Sequence, residues 1–238
     1  VKVYIPEENL GYAKAINYGV NNSSTNYVLC LVADVEIEKN VFQELSNFVT
    51  KFDEFAILSP IYKDLTIYKN YWPITNKEIK KEKVFNNIIF EVRDVDGAAF
   101  LVNKKKFKDN IMNENFFLYF ENTDMCLNVK KDNQKIYIIE NLKFTHLGTQ
   151  SSDKKYDFEI KISRNWHYCW SKFYFYKKNY SFLFALKKIS PNLYRSLIKM
   201  ITSIIKFDRK GLLLSYAEFC GIFSSVIGNK ASHRAKVD

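Results

Sequence analysis

Three short segments of the sequence carry acidic or imidazole side chains at places where a folded chain could present them to a ligand. The apolar run 27–32, which is typical of a buried parallel strand, is followed by Ala33 and then Asp34. An acid at the carboxyl end of such a strand faces the crevice where open α/β sheets bind ligands. It can hold Mg²⁺ or Mn²⁺ beside a substrate diphosphate, or it can be an ordinary turn acid, and both interpretations stay open.

The second segment, residues 116–124, joins five apolar or aromatic residues to two carboxylates. Its order is Phe-Phe-Leu-Tyr-Phe-Glu-Asn-Thr-Asp, which predicts that Glu121 and Asp124 lie at the start of a helix. The backbone N–H groups and the dipole of a helix start favour carboxylates, so capping alone explains the pattern. The functional alternative is a general base at the edge of a pocket.

The third segment is Thr-His-Leu-Gly-Thr at residues 145–149. Its His146 could ligate a metal or contact a phosphate at a strand end, although a lone histidine is more often structural. The sequence contains no GxGxxG, P-loop or GxSxG motif and no paired Cys/His spacing. These absences argue against dinucleotide enzymes, P-loop enzymes, α/β-hydrolases and zinc modules.

The elements that must position these side chains follow an alternating order. Strand patterns and helix patterns alternate up to about residue 140, which favours an α/β sheet with its ligands at the strand ends. Residues 63–83 are rich in lysine and are predicted to form a loop. We expect strands at 1–6, 27–32, 56–62, 84–92, 95–103 and 135–140, and helices at 11–22, 40–51 and 123–132. Beyond residue 150 the pattern becomes helical, and a domain boundary is predicted near 151–153.

Composition fits a globular chain with a basic end. The 238 residues are 47% hydrophobic and 16% aromatic, and 7 Gly and 4 Pro exclude collagen-like and linker-dominated chains. No secretory signal is visible. The four cysteines lie far apart in apolar stretches, which predicts reduced core residues in a cytoplasmic protein: Cys30, Cys126, Cys169 and Cys220.

The net charge of +10 comes entirely from the last third of the chain. Residues 150–238 contain 17 Lys and Arg against 6 Asp and Glu. A compositional bias toward lysine, asparagine, isoleucine and phenylalanine, typical of AT-rich coding, explains part of this excess, but such a bias alone would spread the lysines evenly. A basic tail predicts an anionic partner, either a nucleic acid or a membrane surface.

Taken in order, the segments resemble the inverting, nucleotide-sugar-dependent glycosyltransferases with the GT-A fold, particularly the rhamnosyltransferase-like branch. Residues 9–19 are similar to that family's NxGxxxAxNxG segment, and residues 27–34 to its strand ending in Leu-Asn-x-Asp. Further similar segments are 95–101 with its Gly-Ala, 116–127 with its aromatic-acidic run, 146–151 with His-x-Gly-x-x-Ser, and the Arg-Asn at 164–165.

The resemblance implies a GT-A-like mixed, mostly parallel sheet flanked by helices in residues 1–150. It also implies a basic helical region in residues 151–238. The family's first strand, helix and second strand have no counterpart, so we expect the core to be incomplete at its N-terminus. The resemblance implies that the nucleotide sugar contacts Asn9, Gly11, Asn17, Asp34, Gly97 and Ala98. It implies Asp34 and His146 as the ligands of Mg²⁺ or Mn²⁺. The implied catalytic carboxylates are Glu121 and Asp124.

The resemblance also implies a reaction and an acceptor. A carboxylate would deprotonate an acceptor hydroxyl on a polysaccharide or lipid-linked glycan, with the ion and His146 stabilising the leaving nucleotide diphosphate. Two positions depart from the family pattern. Val32 replaces an Asn or Asp, and Asn122 replaces the usual catalytic acid, whose proton-accepting role an amide cannot fill. A degenerate, non-catalytic binding or scaffold protein therefore remains an alternative, and a nucleic-acid-binding module is a weaker one.

The basic tail suits work at a cell-surface polysaccharide assembly site. Apolar residues follow helical spacing within 193–207, with Arg195, Lys199 and Lys206 off that stripe and an aromatic run before it. Amphipathic basic helices with aromatic residues bind the surface of anionic bilayers. The alternative is that the stripe packs on its own domain. We expect a cytoplasmic protein, peripheral at the inner face of the membrane.

Overall fold

The computed structural model describes residues 2–65, 69–75, 79–148 and 153–235. Within these ranges the helices are α1 (Tyr12–Asn21), α2 (Lys39–Val49), α3 (Glu121–Lys131), α4 (Asp157–Asn179), α5 (Phe182–Ile205) and α6 (Arg209–Val226). The strands are β1 (Tyr27–Leu31), β2 (Val35–Ile37), β3 (Ile57–Tyr62), β4 (Tyr71–Trp72), β5 (Lys81–Val84), β6 (Asn87–Glu91), β7 (Asp94–Val95), β8 (Ala99–Asn103) and β9 (Ile136–His146).

Most elements lie where the sequence predicts them, but β2 was not predicted, and β9 continues to His146 beyond the predicted end at residue 140. Residues 2–6 are exposed and pair with no described strand, so the strand predicted there is absent. The strand predicted at 84–92 is present as β6 but begins later, at Asn87, because the chain turns at Phe85 with φ of 54° and β5 before the turn pairs with β6. The predicted loop 63–83 contains β4 and the start of β5. The sequence alone did not show these short strands, because their side chains lack a clear alternation.

A seven-stranded sheet carries the fold, in the order β1-β8-β3-β9-β6-β5, with β2 also paired to β9. The predicted mixed α/β class is confirmed. Four strands (β1, β3, β9 and β5) run in one direction and the other three run in the opposite direction. Among the described strands, β3 and β9 are the only parallel neighbours. The apolar strand 27–32 therefore pairs antiparallel with β8, although its pattern suggested a parallel neighbour.

Helix α2 covers one face of this sheet. Its buried residues Val41, Leu45 and Phe48 belong to one hydrophobic cluster with strand residues such as Leu58 and Ile139. All six residues of β3 are buried, as expected for a strand with neighbours on both sides. Each fully buried aliphatic or aromatic side chain contributes roughly 1.5–3 kcal/mol to folding, so this cluster fixes the strands that lead to the site.

The chain divides into two compact units, and neither is a continuous segment. The sheet unit consists of Ile16–Met112 and Asn122–Ser151. The helical unit consists of Val1–Ala15, Asn113–Glu121 and Ser152–Asp238. This division differs from the predicted 1–150 and 151–238 because two short segments of the N-terminal half pack with the C-terminal helices.

Helices α4, α5 and α6 form the core of the helical unit. Cys169, Phe173, Ala185, Ile189 and Ile222 make one buried cluster. Helix α6 approaches α4 closely at Gly221. A Cβ atom at this position would lie 2.2 Å from the backbone oxygen of Trp166 in α4. Among the described residues, none of the helices combines the length and hydropathy that crossing a bilayer requires.

The cysteines are unpaired, as the sequence predicts. Cys30, Cys126 and Cys169 are buried, and Cys220 is partly buried. Burial raises the pKa of the three buried thiols to about 12, so they are protonated at neutral pH and behave as small apolar residues.

Candidate active site

The ends of three strands meet at one edge of the sheet unit. Asp34 follows β1, Tyr62 ends β3 and His146 ends β9. Strand pairing sets their positions, because Tyr62 lies opposite Phe144 in the parallel pair, and Val35 lies opposite His146 in the antiparallel pair. These pairings place the polar side chains of the three strand ends at the same edge of the sheet.

A cavity of about 520 Å³ opens at this edge. Its volume is in the usual range for small-molecule sites. The lining residues all belong to the sheet unit: Tyr62, Lys63, Asp64, Asp96, Phe144, Thr145 and His146. Apolar rings and polar groups therefore face the same space, which suits a ligand with both a ring system and charged groups.

Asp34 and His146 are in direct contact. Asp34 Oδ1 lies 3.3 Å from His146 Nε2, and the Asp34 side chain is only 8% exposed. The backbone reinforces this pairing, since Leu147 N–H donates to the Asp34 carbonyl at 2.9 Å. The sequence placed these two residues on separate strands as metal ligands, and the structure brings them together.

Tyr62 connects the imidazole to a second carboxylate. Its hydroxyl donates to Asp96 Oδ2 at 2.5 Å and lies 3.1 Å from His146 Nδ1. A tyrosine has one hydroxyl proton, so Tyr62 accepts at the second contact and His146 Nδ1 carries a proton. In a neutral imidazole, Nε2 would then present its lone pair toward Asp34. Two acceptors facing each other are stable only with a cation or an additional proton between or beside them.

Asp96 joins the predicted Gly97-Ala98 segment to this network. Ala98 N–H donates to Asp96 Oδ1 at 3.1 Å, and the Ala98 carbonyl accepts from Val32 N–H at 3.0 Å. Burial raises the pKa of Asp96, and the Tyr62 hydroxyl, the Ala98 N–H and His146 partly oppose that increase. The segments 32–34, 96–98 and 144–146 therefore form one connected group.

The residues at this edge fit a divalent ion that shares its coordination with a substrate. The described residues contain no group of three or more Asp, Glu, His or Cys side chains able to form a closed metal site. An ion that keeps waters and substrate phosphates in its coordination needs only one or two protein ligands, and the Asp34 carboxylate and the His146 imidazole are the candidates at this edge. A proton on Nδ1 held by Tyr62 orients the ring as a metal ligand requires.

The predicted nucleotide segment 9–19 has clear local reasons for its residue types. Gly11 N–H donates to Asn9 Oδ1 at 3.0 Å, which forms a turn, and Gly11 has φ of 74°. A Cβ atom at Gly11 would lie 2.4 Å from a ring carbon of Phe117. Both residues belong to the helical unit. Their predicted contacts with a nucleotide stay predictions.

Asn17 has a structural partner in the sheet unit. Its side-chain amide donates to the Met112 carbonyl at 2.8 Å and accepts from Met112 N–H at 3.0 Å, and the residue is buried. This paired arrangement explains why an asparagine stands here on structural grounds. The predicted contact of Asn17 with a nucleotide sugar stays a prediction.

The two predicted catalytic carboxylates both lie on α3 and are buried. Burial raises the pKa of Glu121 to about 7, although its own backbone N–H partly opposes the increase. Among the described residues, Glu121 Oε2 and Asn122 Oδ1 have no hydrogen-bond partner. Asp124 belongs to the sheet unit and lies 3.4 Å from the Asn128 amide, whereas Glu121 belongs to the helical unit. Helix α3 begins at Glu121, two residues before the predicted start.

Of the seven described residues that line the cavity, sequence reasoning gave a site role only to His146, and Tyr62, Asp96 and Lys63 are among those it missed. Tyr62 ends a strand that was predicted correctly, but an aromatic residue there suggested only core packing. Asp96 stood inside the Gly-Ala segment without a role, although an acid directly after a short strand was the signal used for Asp34. Lys63 brings a positive charge to the cavity and forms an exposed ion pair with Glu38 at 3.6 Å.

Comparisons with known proteins found similarities of two kinds, one in sequence and one in fold. The sequence model of glycosyl transferase family 2 matches residues 1–111, a range that contains Asp34, Tyr62 and Asp96 and ends before α3. A crystal structure of GalNAc-T7 with UDP, GalNAc and Mn²⁺ is similar with a TM-score of 0.48 and 13% identity. That similarity covers 75% of this chain but only 39% of the other chain. No curated protein sequence matches this chain.

The N-terminal part of the chain is therefore similar to glycosyl transferase family 2, and this match agrees with the resemblance found in the motifs. The matched range contains the first four predicted nucleotide-sugar residues as well as Gly97 and Ala98. It does not contain His146, Glu121 or Asp124, and the roles predicted for these three residues stay predictions.

Proposed function

We propose that this protein is an inverting glycosyltransferase that uses a nucleotide-diphosphate sugar as its donor. The observation that supports this most directly is the Asp34–His146 pair beside a 520 Å³ cavity at the strand ends. The match of residues 1–111 to glycosyl transferase family 2 gives that pair a chemical context.

Asp34 and His146 would hold the divalent ion, Mg²⁺ or Mn²⁺. When bound, such an ion offsets the negative charge that develops on the departing diphosphate. The Tyr62 hydroxyl oxygen would fix the His146 ring by accepting a hydrogen bond from its Nδ1–H. Lys63 would add a positive charge for a phosphate oxygen, since its ion pair with Glu38 is exposed and therefore weak.

The proton of the acceptor hydroxyl would pass to a carboxylate of α3. In a single displacement, the acceptor oxygen forms its bond to the anomeric carbon while the bond from that carbon to the diphosphate oxygen breaks. Glu121 suits the proton-accepting role because its pKa of about 7 is close to neutral pH, where a general base is most effective. Asp124 is the other candidate from the sequence motif.

The acceptor class follows from the resemblance and not from the cavity itself. We propose a hydroxyl of a growing polysaccharide or a lipid-linked glycan, as in the assembly of cell-surface polysaccharides. An acceptor carried on a lipid would place the transfer at a membrane, which agrees with the predicted cytoplasmic, peripheral location.

Calorimetry with a panel of nucleotides tests the donor site. We expect the chain to bind one of UDP, GDP or dTDP in the presence of Mn²⁺, and to bind it much more weakly when EDTA replaces the ion. Absence of heat with every nucleotide and every nucleotide sugar would contradict the proposal. Binding of a donor without release of the nucleotide diphosphate in the presence of glycan acceptors would favour the degenerate, non-catalytic alternative instead.

A further inference from the structure

Helix α5 is apolar on its outer side and small or polar on its inner side. Its buried positions are Ala185, Ile189, Asn192, Ser196 and Ser203, so Ile189 is the only large aliphatic residue among them. Its exposed apolar residues are far more numerous: Phe182, Leu183, Tyr194, Leu197, Ile198, Ile201, Ile204 and Ile205. A helix that only packs on its own domain shows the opposite distribution.

Helical geometry confirms that these are two different faces. At about 100° per residue, Leu197, Ile201 and Ile204 share one face, whereas Ser196 and Ser203 lie on another. The stripe found in the sequence at 193–207 therefore points mostly away from the core of the helical unit. Leu193 is the exception, since it packs partly against the buried cluster of α4, α5 and α6. The simple explanation, that the stripe covers the domain's own core, is wrong for the other positions.

Exposure is greatest where α5 turns into α6. Ile201 is 59% exposed, Ile204 60%, Ile205 70% and Phe207 95%. Phe207 has φ of 54°, a left-handed conformation that aromatic residues rarely adopt, and it closes the turn between the helices. We call Ile201, Ile204, Ile205 and Phe207 the apolar tip. Soluble proteins rarely leave so many large apolar side chains together in water.

Positive charge surrounds the apolar tip. Lys199, Lys206 and Arg209 are exposed, and none of them forms an ion pair with a carboxylate in the described residues. Asp208, which follows the tip directly in sequence, accepts from Gly211 N–H at 2.9 Å and so caps α6. Residues 150–238 as a whole contain 17 basic and 6 acidic residues.

We propose that the apolar tip inserts into the surface of an anionic lipid bilayer, with the outer face of α5 lying along that surface. Apolar side chains would enter the acyl boundary while lysine and arginine contact the lipid phosphates. A second copy of this chain is a poorer occupant, because pairing the tips would bring two strongly basic surfaces together. The inference does not depend on the proposed transferase activity.

Vesicle flotation tests the surface directly. We expect the purified chain to float with vesicles of phosphatidylcholine containing about 30% phosphatidylglycerol, and to stay unbound with phosphatidylcholine alone. Because Coulomb attraction to the surface is screened by salt, binding should weaken several-fold between about 0.1 M and 0.5 M NaCl. No flotation with anionic vesicles at low salt would overturn the proposal.

A matched pair of variants assigns the binding to the tip. Ile201→Ser combined with Ile204→Ser should lower the partition coefficient by about tenfold or more, because two side chains lose their burial in the bilayer. Phe42→Ser with Ile74→Ser removes two comparably exposed apolar residues of the sheet unit and should leave partitioning unchanged. Equal effects of both pairs would show that the tip has no special role.

A fluorescence variant shows whether the tip enters the bilayer. Tryptophan emission of Phe207→Trp should shift to shorter wavelength when anionic vesicles are added, whereas Phe42→Trp should show no such shift. Light scattering without lipid tests whether a second copy of this chain covers the tip instead. A wild-type dimer that dissociates on Ile201→Ser and Ile204→Ser would show that a second copy covers the tip, and would overturn the lipid assignment.

Discussion

The carboxylate of Asp34 and the imidazole of His146 lie 3.3 Å apart, although 112 positions separate them in the numbering of the chain. The contact joins the end of β1 to the end of β9, and the hydrogen bond from Leu147 N–H to the Asp34 carbonyl holds the same two strand ends. Because the Tyr62 hydroxyl contacts the other ring nitrogen and is itself held by Asp96, His146 is oriented before any ligand arrives. This preorganisation is what a two-ligand ion site needs.

Replacing Asp34 tests its proposed ligand role. Asp34→Asn keeps the size of the side chain but removes its charge, so we expect the Mn²⁺-dependent gain in nucleotide affinity to fall at least about tenfold. Titration calorimetry with and without Mn²⁺ measures this gain. Glu36→Gln is the matched control, because Glu36 lies two residues away on β2 and is exposed. Unchanged Mn²⁺ dependence in Asp34→Asn would remove this aspartate from the site.

Removing the Tyr62 hydroxyl should destabilise the protein in a pH-dependent way. Tyr62→Phe leaves Asp96 Oδ2 and His146 Nδ1 without this partner, which costs roughly 1–3 kcal/mol. The Tyr62 hydrogen bond lowers an Asp96 pKa that burial has raised above 3.8, so its loss raises that pKa further. A carboxyl group whose pKa is higher in the folded protein than in the unfolded chain destabilises the fold as pH rises above the pKa of the unfolded chain. The loss of stability in Tyr62→Phe should therefore be larger at pH 7 than near pH 4.

Urea unfolding of Tyr62→Phe at the two pH values measures this effect. Tyr71→Phe is a suitable control, because Tyr71 is also buried and its ring packs edge-on against Phe90. Its hydroxyl has no hydrogen bond in the described part of the chain. An equal loss of stability at pH 4 and pH 7 for Tyr62→Phe would indicate packing and not the proposed link to Asp96.

The sequence predicted β1, β3 and the first part of β9, because a continuous apolar run is a local pattern, but it did not predict that β9 continues to His146. It identified Asp34 and His146 as partners only through the motif resemblance, since a contact between distant strand ends depends on sheet order. Tyr62 and Asp96 could not be recognised in the same way. Their roles arise from hydrogen bonds between different strands, which leave no periodic signal in either segment.

The outer face of α5 shows a different limit of sequence reasoning. Apolar spacing in 193–207 correctly predicts a helix, but spacing alone cannot say which side faces the core. In the structure, Ser196 and Ser203 face inward because the helices pack closely there, and Ile201 and Ile204 face outward. A hydrophobic stripe on a helix therefore indicates that something covers it, and only the structure shows whether the protein's own core does so.

Glu121 should lower the stability of the fold at neutral and alkaline pH. Burial raises its pKa from 4.5 to about 7, so the destabilisation develops as pH rises from 4.5 and is complete above about 7. Glu121→Gln removes the ionisable group, and we expect it to be more stable than the wild type by up to about 3 kcal/mol at pH 8. The difference should disappear near pH 4, where the wild-type carboxyl is protonated.

Chemical unfolding across this pH range, combined with turnover, separates two roles of Glu121. If it is the general base, Glu121→Gln loses activity while it gains stability, and wild-type turnover rises with pH through about 7. Glu7→Gln, at an exposed position, should change neither property. A stability loss for Glu121→Gln at pH 8 would contradict the burial argument.

Two glycines of the first helical segment should respond to alanine in opposite directions. Gly11 has φ of 74°, and a Cβ there would lie 2.4 Å from Phe117 Cδ2 and 2.7 Å from the Phe117 carbonyl oxygen. The backbone oxygen cannot move aside as a flexible side chain could, so Gly11→Ala should cost about 1–3 kcal/mol or more. Gly19 lies within α1 with no atom within 4 Å of the added Cβ, and Gly19→Ala should stabilise by roughly 0.5–1 kcal/mol.

Thermal unfolding of the two variants measures the opposite shifts. We expect a lower midpoint for Gly11→Ala and a higher midpoint for Gly19→Ala. Gly11 is the glycine of the NxGxxxAxNxG segment. A lower midpoint for Gly11→Ala would show that this position requires glycine because of its contact with Phe117, independent of any nucleotide. A Gly11→Ala variant with wild-type stability but weakened donor binding would instead place the requirement at the nucleotide, and the steric argument would be wrong.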